Sequence, residues 1–208
     1  MEPRDPDPFA PGVVPLATCA VYVSPGFLDP AACRQVRAAM DRGTAEPAEI
    51  LTDTTTRDRQ ARRATSIDID EVTRRIIEAQ LDAVRQSLAG HYQIPLTTRE
   101  GPGFLRYEAG DFYRRHRDRA FSASWPRAAQ RQLSVVVFLK SSRPHPAADE
   151  FSGGELLVWL QSPDDPATTE PVRVTPREGC LVVFPASLLH EVRPVRAGTR
   201  DVIVDWYY

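Results

Sequence analysis

The chain has little of several things that would point to other classes of protein. Three cysteines among 208 residues, Cys19, Cys33 and Cys180, are too few and too scattered for a disulfide framework or a cysteine-rich zinc site. Their odd number fits a reducing compartment, with each thiol read as buried. Only one of the 26 basic residues is a lysine, Lys140, and 28 acidic residues leave a formal net charge of −2. A basic footprint is the first requirement of a nucleic-acid partner, and the composition offers none. No apolar run approaches the roughly 18 residues of a membrane span. The opening MEPRDPDPFAPG is acidic and proline-rich, without the basic and apolar regions of a secretory signal. A soluble cytoplasmic protein is therefore expected, large enough to bury about 70% of its unfolded surface without staples.

Residues 1–17 contain five of the 19 prolines and read as a loose tail. The remainder, 18–208, reads as one domain without internal repeat or linker, with a helical part over 18–95 and a β-rich core over 96–208. The segment TCAVYVSPGFL is a short strand, after which Asp29 and Pro30 open a helix as N-cap and first helical residue. Cys33, Val36 and Met40 give that helix a buried face, and Gly43 ends it. Residues 44–64 are polar and β-branched without periodicity, and read as loop. A second helix starts at Ile69 or Asp70, carries Val72, Ile76, Ile77, Leu81, Val84 and Leu88 at helical spacing, and closes at Gly90. After Pro95 come eight short apolar or alternating runs, from GFLRYEA to DVIVDWYY, separated by Gly, Pro, Ser and Asp clusters. That pattern predicts a β sandwich or barrel. With the helices ahead of it, the fold class is α+β, helices packed on one face of a double sheet.

The histidines separate into two kinds. His91 follows a helix end and His145 is flanked by prolines, so both read as surface residues. His116 lies in YRRHRDR (residues 113–119) and His190 begins a late strand after CLVVFPA. Residues two apart on a strand share a side, which puts His116 with Asp118 and leaves Arg117 opposite. The tripeptide is either a solvated charged patch or half of a metal site. With His190 as third ligand it makes the two-histidine, one-carboxylate set that leaves three positions open on non-haem Fe(II). Arg200 stands ten positions after His190, Trp206 six further on, and Tyr107 nine before His116. A dicarboxylate 2-oxo acid that chelates iron through its oxo-acid end needs a cation at its far carboxylate. Arginine suits this because its planar fork binds a carboxylate bidentately, and Tyr107 adds a hydroxyl there.

From Arg99 to Asp118, REGPGFLRYEAGDFYRRHRD places a tyrosine, a glycine turn, a second tyrosine and His-x-Asp in order. Phe151-Ser-Gly-Gly-Glu-Leu156 opens a later strand, and His190, Arg200 and Trp206 follow. In these features the chain resembles the Fe(II)/2-oxoglutarate-dependent dioxygenases of the prolyl 4-hydroxylase-like group. RRATSIDI and the helix after it resemble the region that precedes the catalytic strands there, so the similarity spans 18–208.

The resemblance implies a double-stranded β-helix, or jelly-roll, with the N-terminal helices on its larger sheet. It implies that His116, Asp118 and His190 bind Fe(II), that Arg200 assisted by Tyr107 binds the distal carboxylate of 2-oxoglutarate, and that O2 is consumed with release of succinate and CO2. Ascorbate would have a supporting role. Halogenating relatives have a small residue in place of the carboxylate; Asp118 instead favours hydroxylation, desaturation or ring closure. Tyr113 resembles a substrate-facing tyrosine, although simple alternation puts it opposite His116 unless a twist or bulge intervenes. Trp206 reads equally as pocket lining and as core. Glu155 and the two glycines before it read as turn and strand start, and Arg114, Arg115, Arg117 and Arg119 as surface. Residues 119–132, with Trp125, read as a lid or a plain loop. The compact chain favours a small-molecule or amino-acid substrate. The alternatives are a prolyl or other residue of a peptide or protein and, from another class, a jelly-roll binding module with a vestigial metal site. The sequence leaves oligomeric state open.

Overall fold

The structure is a computed structural model. It describes residues 20–48, 50–51, 55–56, 58–119, 126–160 and 170–208, with the backbone alone at 50, 51, 55 and 56. The proline-rich tail, Cys19 and Trp125 lie outside the described residues.

In chain order the elements are β1 (Tyr22–Ser24), α1 (Pro30–Arg42), β2 (Thr44–Pro47), β3 (Ile50–Leu51), β4 (Thr55–Thr56), β5 (Arg62–Arg63), β6 (Thr65–Asp68), α2 (Glu71–Tyr92), β7 (Gly103–Tyr107) and β8 (Phe112–His116). They continue with α3 (Pro126–Gln130), β9 (Leu133–Phe138), β10 (Ser152–Gly153), β11 (Leu156–Trp159), β12 (Val172–Val174), β13 (Leu181–Pro185), β14 (Leu189–Val192), β15 (Val195–Ala197) and β16 (Arg200–Tyr207). A seven-stranded sheet runs β1-β13-β9-β16-β7-β6-β2, and a five-stranded sheet runs β12-β11-β14-β8-β5. All the pairings between named strands are antiparallel. The architecture is the expected double-stranded β-helix with helices against the larger sheet.

Period-two alternation explains how one sheet serves two cores. On β9, Leu133, Val135 and Val137 pack with Ile77, Leu81, Leu88 and Met40 of the helices. Val136 and Phe138, from the same strand, face inward with Val182, Phe184, Val158 and Phe151. Both faces of β9 are covered, so it reads as an apolar run broken only by Ser134 instead of an alternating one. Each such side chain removed from water contributes about 1.5–3 kcal/mol.

The helix ends show where local signals suffice. Asp29 caps α1 by accepting from the Ala32 amide at 2.8 Å, and Asp70 caps α2 by accepting from Thr73 at 2.8 Å. Gly43 ends α1 as expected, for a tertiary reason: a Cβ there would lie 2.4 Å from the Asp68 carbonyl of β6. Gly90, by contrast, does not close α2. The helix runs on to Tyr92, and Gln93 adopts the left-handed cap at φ 54°. The extension is held by the Tyr92 hydroxyl, which donates to the Val183 carbonyl at 2.7 Å and accepts from the Tyr22 amide at 3.2 Å. Val72 and Ile76 are exposed, 70% and 45%. At about 100° per residue they fall off the stripe formed by Thr73, Ile77, Leu81, Val84 and Leu88.

The segment expected as loop over 44–64 contains β2 and β5, which pair with β6 and β8. Its polar side chains conceal the strands because both run along sheet edges, where burial does not impose an apolar pattern. Cys33 and Cys180 are buried, and burial first of all pushes both thiols up to about 11. Among the described residues no helix is long and apolar enough to cross a membrane.

Candidate metal centre and its cavity

Strands β8 and β14 meet in register so that His116 and His190 are cross-strand partners. Asp118 follows just beyond β8, its amide bound to the Ala186 carbonyl at 3.1 Å. One ligand atom from each of His116, Asp118 and His190 lies within 4.8 Å of the others, close enough to hold one metal ion. Nε2 of His116 is 3.5 Å from Oδ1 of Asp118, and Nε2 of His190 is 3.4 Å from Oδ2. The other nitrogen of each ring faces a backbone carbonyl, Arg114 at 2.8 Å and Leu188 at 3.1 Å. A carbonyl only accepts, so Nδ1 carries the proton and the Nε2 lone pair is left toward the centre.

Electrostatics prepare the same set. Burial, helped by the neighbouring His190, pushes the His116 imidazole down to about 4, so it stays neutral at physiological pH. Burial alone would raise the Asp118 carboxyl. The imidazoles of His190 and His116 beside it outweigh this and hold Asp118 well below the usual carboxylate range. The Ser134 hydroxyl donates to Oδ2 of Asp118 at 2.6 Å. Ser134 is the polar residue among apolar neighbours in LSVVVF. It lies on the inward face with Val136 and Phe138, and that inward polar position was the signal by which sequence reasoning could have found it.

The centre opens on a cavity of about 820 Å³. Arg200 and Tyr107 line it together because they are cross-strand partners at the β16–β7 pairing. Arg200 is 1% exposed, and its guanidinium lies over the Tyr107 ring at 4.9 Å and the Phe138 ring at 5.3 Å. Its Nε donates to the Gly154 carbonyl at 3.1 Å. Among the described residues no carboxylate lies within salt-bridge distance of it, and burial pushes its pKa down to about 10. A buried cation so placed suits an incoming carboxylate.

Tyr113 shares the inward face through a bulge. Opposite His190 and Val192, two apart, stand His116 and Tyr113, three apart, so β8 carries one extra residue. The Tyr113 ring stacks on His116 with centroids 3.5 Å apart, and burial pushes its phenol up, so it remains protonated. Behind it Arg62 of β5 lies over the ring at 4.6 Å. Arg62 was hidden in the segment read as loop. Trp206 lines the cavity rather than the helix-facing core, being opposite Ser134 in register with Arg131 stacked over its indole at 3.8 Å. Arg131 in turn holds Glu100 at 2.6 and 2.8 Å. Neither Arg131 nor Glu100 stood out in the sequence as part of a site.

Arg114, Arg115 and Arg119 are exposed, as expected, but Arg117 lines the cavity and donates to the Ser187 carbonyl. His145 and His91 are exposed. In the segment read as a lid, 126–130 form α3, and 120–125 lie outside the described residues.

Comparison with known proteins agrees with this geometry. Residues 102–208, just over half of the chain, match the 2OG-Fe(II) oxygenase superfamily. A PKHD-type hydroxylase of Synechococcus elongatus is 35% identical over 103 residues, which cover 50% of this chain and 40% of that protein. A PKHD-type hydroxylase of Rippkaea orientalis is 34% identical over 107 residues, with the same coverage of 50% and 40%. The chain thus spans about 40% of the length of these relatives. Among solved structures, a Pseudomonas putida prolyl-4-hydroxylase superposes with a TM-score of 0.70 at 26% identity, covering 92% of this chain and 94% of that one. A Trichoplax adhaerens prolyl hydroxylase in complex with a peptide fragment of the hypoxia inducible factor oxygen degradation domain shares the fold at a TM-score of 0.69 and 21% identity, covering 93% of this chain and 85% of that one.

Proposed function

The chain belongs to the 2OG-Fe(II) oxygenase superfamily, and from that premise we propose that it is an Fe(II)- and 2-oxoglutarate-dependent hydroxylase acting on a prolyl or other residue of a peptide or protein. The observation that carries the reading is the pairing of the His116–Asp118–His190 cluster with a buried Arg200 that has no carboxylate partner among the described residues. A donor set of two imidazoles and one carboxylate fits non-haem Fe(II) with open positions, and the buried guanidinium of Arg200 fits the distal carboxylate of a dicarboxylate co-substrate. The metal, when bound, supplies the chemistry by which one oxygen atom of O2 enters a substrate C–H bond and the other enters succinate as 2-oxoglutarate loses CO2.

The protein's own residues do the rest. His116 and His190 turn Nε2 toward the centre because their Nδ1 atoms face the carbonyls of Arg114 and Leu188. Ser134 holds Oδ2 of Asp118, which orients the carboxylate toward the centre. Arg200 anchors the far end of the co-substrate beside Tyr107. Tyr113, stacked on His116, offers a protonated hydroxyl on the inward face, and Trp206 contributes wall. The apolar lining of Leu105, Val136, Leu156 and Val204 excludes water from the reacting end.

The choice of a residue in a polypeptide over the small molecule favoured by the sequence rests on the 26% identity to the Pseudomonas putida prolyl-4-hydroxylase across nearly the whole of both chains. The test is an anaerobic titration with Fe(II) and then 2-oxoglutarate, followed in the visible by the weak charge-transfer band of a chelated 2-oxo acid. Wild-type protein should develop the band, His190→Ala should not, and Arg200→Ala should need far more 2-oxoglutarate. Turnover is then compared on proline-containing peptides and free amino acids by mass gain of one oxygen atom. Oxidation of free amino acids alone would return the substrate to the small-molecule class. Folded protein that binds neither metal nor co-substrate would make it a binding module.

A further inference from the structure

We infer that Gly154 is the positioning residue for Arg200, and so sets the recognition of the co-substrate's distal carboxylate; this rests on the oxygenase reading above. Three features converge on one peptide unit. First, the Gly154 carbonyl accepts from Nε of Arg200 at 3.1 Å, the one hydrogen bond of that buried guanidinium among the described residues. With the Nε side engaged, the Nη1/Nη2 edge of the fork is left for a ligand, and that edge matches a carboxylate bidentately. Second, the carbonyl takes this direction because Gly154 lies in the left-handed region at φ 64°, directly after Gly153 at φ 75°. Third, the space is closed to any other residue: a Cβ on Gly154 would lie 2.9 Å from Cδ of Arg200 and 2.9 Å from the Phe151 ring. Both of those side chains are fully buried, and of the two only Arg200 borders the cavity into which it could shift.

The turn is also fastened to its surroundings. The Ser142 hydroxyl donates to the Gly153 carbonyl at 2.9 Å, and the Gly154 amide donates to the Pro194 carbonyl at 3.2 Å. An added methyl group is therefore relieved by movement of Arg200 sooner than by movement of the turn. Gly154 does not line the cavity, so its effect on the ligand passes through Arg200. The Gly-Gly pair, which reads in the sequence as a turn ahead of a strand, thereby acquires a second role.

The experiment compares wild type, Gly154→Ala, Arg200→Lys and the double variant as full-length protein. Fe(II) affinity, 2-oxoglutarate affinity from the charge-transfer band, and KM for 2-oxoglutarate are measured for each. Gly154→Ala should weaken 2-oxoglutarate binding roughly ten- to a hundredfold, the scale on which displacements of about 1 Å act, with Fe(II) affinity unchanged. The double variant should bind 2-oxoglutarate no more weakly than Arg200→Lys alone. A Gly154→Ala protein that loses thermal stability but keeps its KM within about twofold, or effects that simply add, would overturn the inference. If Gly154→Ala does not accumulate as folded protein, Ser142→Ala replaces it, since it loosens the turn without adding volume. That variant should raise KM for 2-oxoglutarate a few-fold, and an unchanged KM overturns the inference. Wild-type protein that fails to bind 2-oxoglutarate would sink the oxygenase reading and this inference with it; a wild type that binds beside an unaffected variant sinks the inference alone.

Discussion

Replacing Arg200 with methionine should make the ligand-free protein no less stable while removing its response to 2-oxoglutarate. Arg200 is among the largest fully buried side chains, and truncating such a residue ordinarily destabilises. Here the charge reverses the expectation. Burial pushes its pKa from 12.5 to about 10. At about 1.4 kcal/mol per tenfold change in proton affinity, the charged side chain is ~3 kcal/mol less stable in the fold than in water. The folded protein binds this proton more weakly than the unfolded chain does, so the full penalty acts at every pH below about 10. Methionine fills similar length without charge. Against the gain stand the hydrogen bond to Gly154, worth about 1 kcal/mol, and the contacts over Tyr107 and Phe138, together about 1–2 kcal/mol. The net expectation for Arg200→Met is between zero and ~1 kcal/mol of added stability in urea denaturation without ligands. Wild-type protein with a hundredfold excess of 2-oxoglutarate over its dissociation constant should gain about 2.7 kcal/mol, and the variant should gain none. A ligand-free variant weakened by more than about 1 kcal/mol, or one still stabilised by 2-oxoglutarate, would refute the assignment of Arg200 as a cation held in wait for a carboxylate.

Two further outcomes follow from the centre itself. Ser134→Ala removes the donor to Asp118 and should lower Fe(II) affinity by roughly ten- to a hundredfold with little change in fold, checked by metal titration; unchanged affinity would show that Asp118 needs no such support. The metal-free protein should also lose stability as pH falls from 6.5 toward 4. Over that window the unfolded chain protonates the residue-116 imidazole, whereas the fold, with this group pushed down to about 4, resists. The full effect is ~3 kcal/mol, and Asp118 titrates below the window. His116→Gln should flatten the slope of the urea midpoint against pH, and a slope unchanged in that variant would locate the effect elsewhere.

Much of the molecule was legible without coordinates, for reasons that are local. Asp29 and Asp70 cap helices because a carboxylate beside free amides does so in any context. The alternating runs after Pro95 announce a sheet because a face buried at period two leaves that mark. His116 and Asp118, two apart on a strand, could be paired for the same reason. Legibility ended where a neighbour distant in sequence decided the outcome. Gly90 carries a helix-ending signal, yet α2 continues because Tyr92 finds the Val183 carbonyl on β13. Val72 and Ile76 match helical spacing, but only the position of the sheet selects the face that contains Ile77 and Leu81.

The division is the same at the site. Sequence alone determined the residue types of the candidate centre, two histidines, an aspartate and an arginine in order along the chain, because their chemistry is intrinsic to the side chains. Tertiary structure decided their relation: the β8–β14 register that sets His116 opposite His190, and the bulge that turns Tyr113 inward. It also decided the supporting residues. Ser134, Arg62, Arg131 and Gly154 have ordinary roles in countless sequences, and they matter here only through what the fold sets against them. A hydrogen bond or a steric limit is a property of two groups at a distance, and for groups far apart in the chain that distance exists only once the sheets have closed.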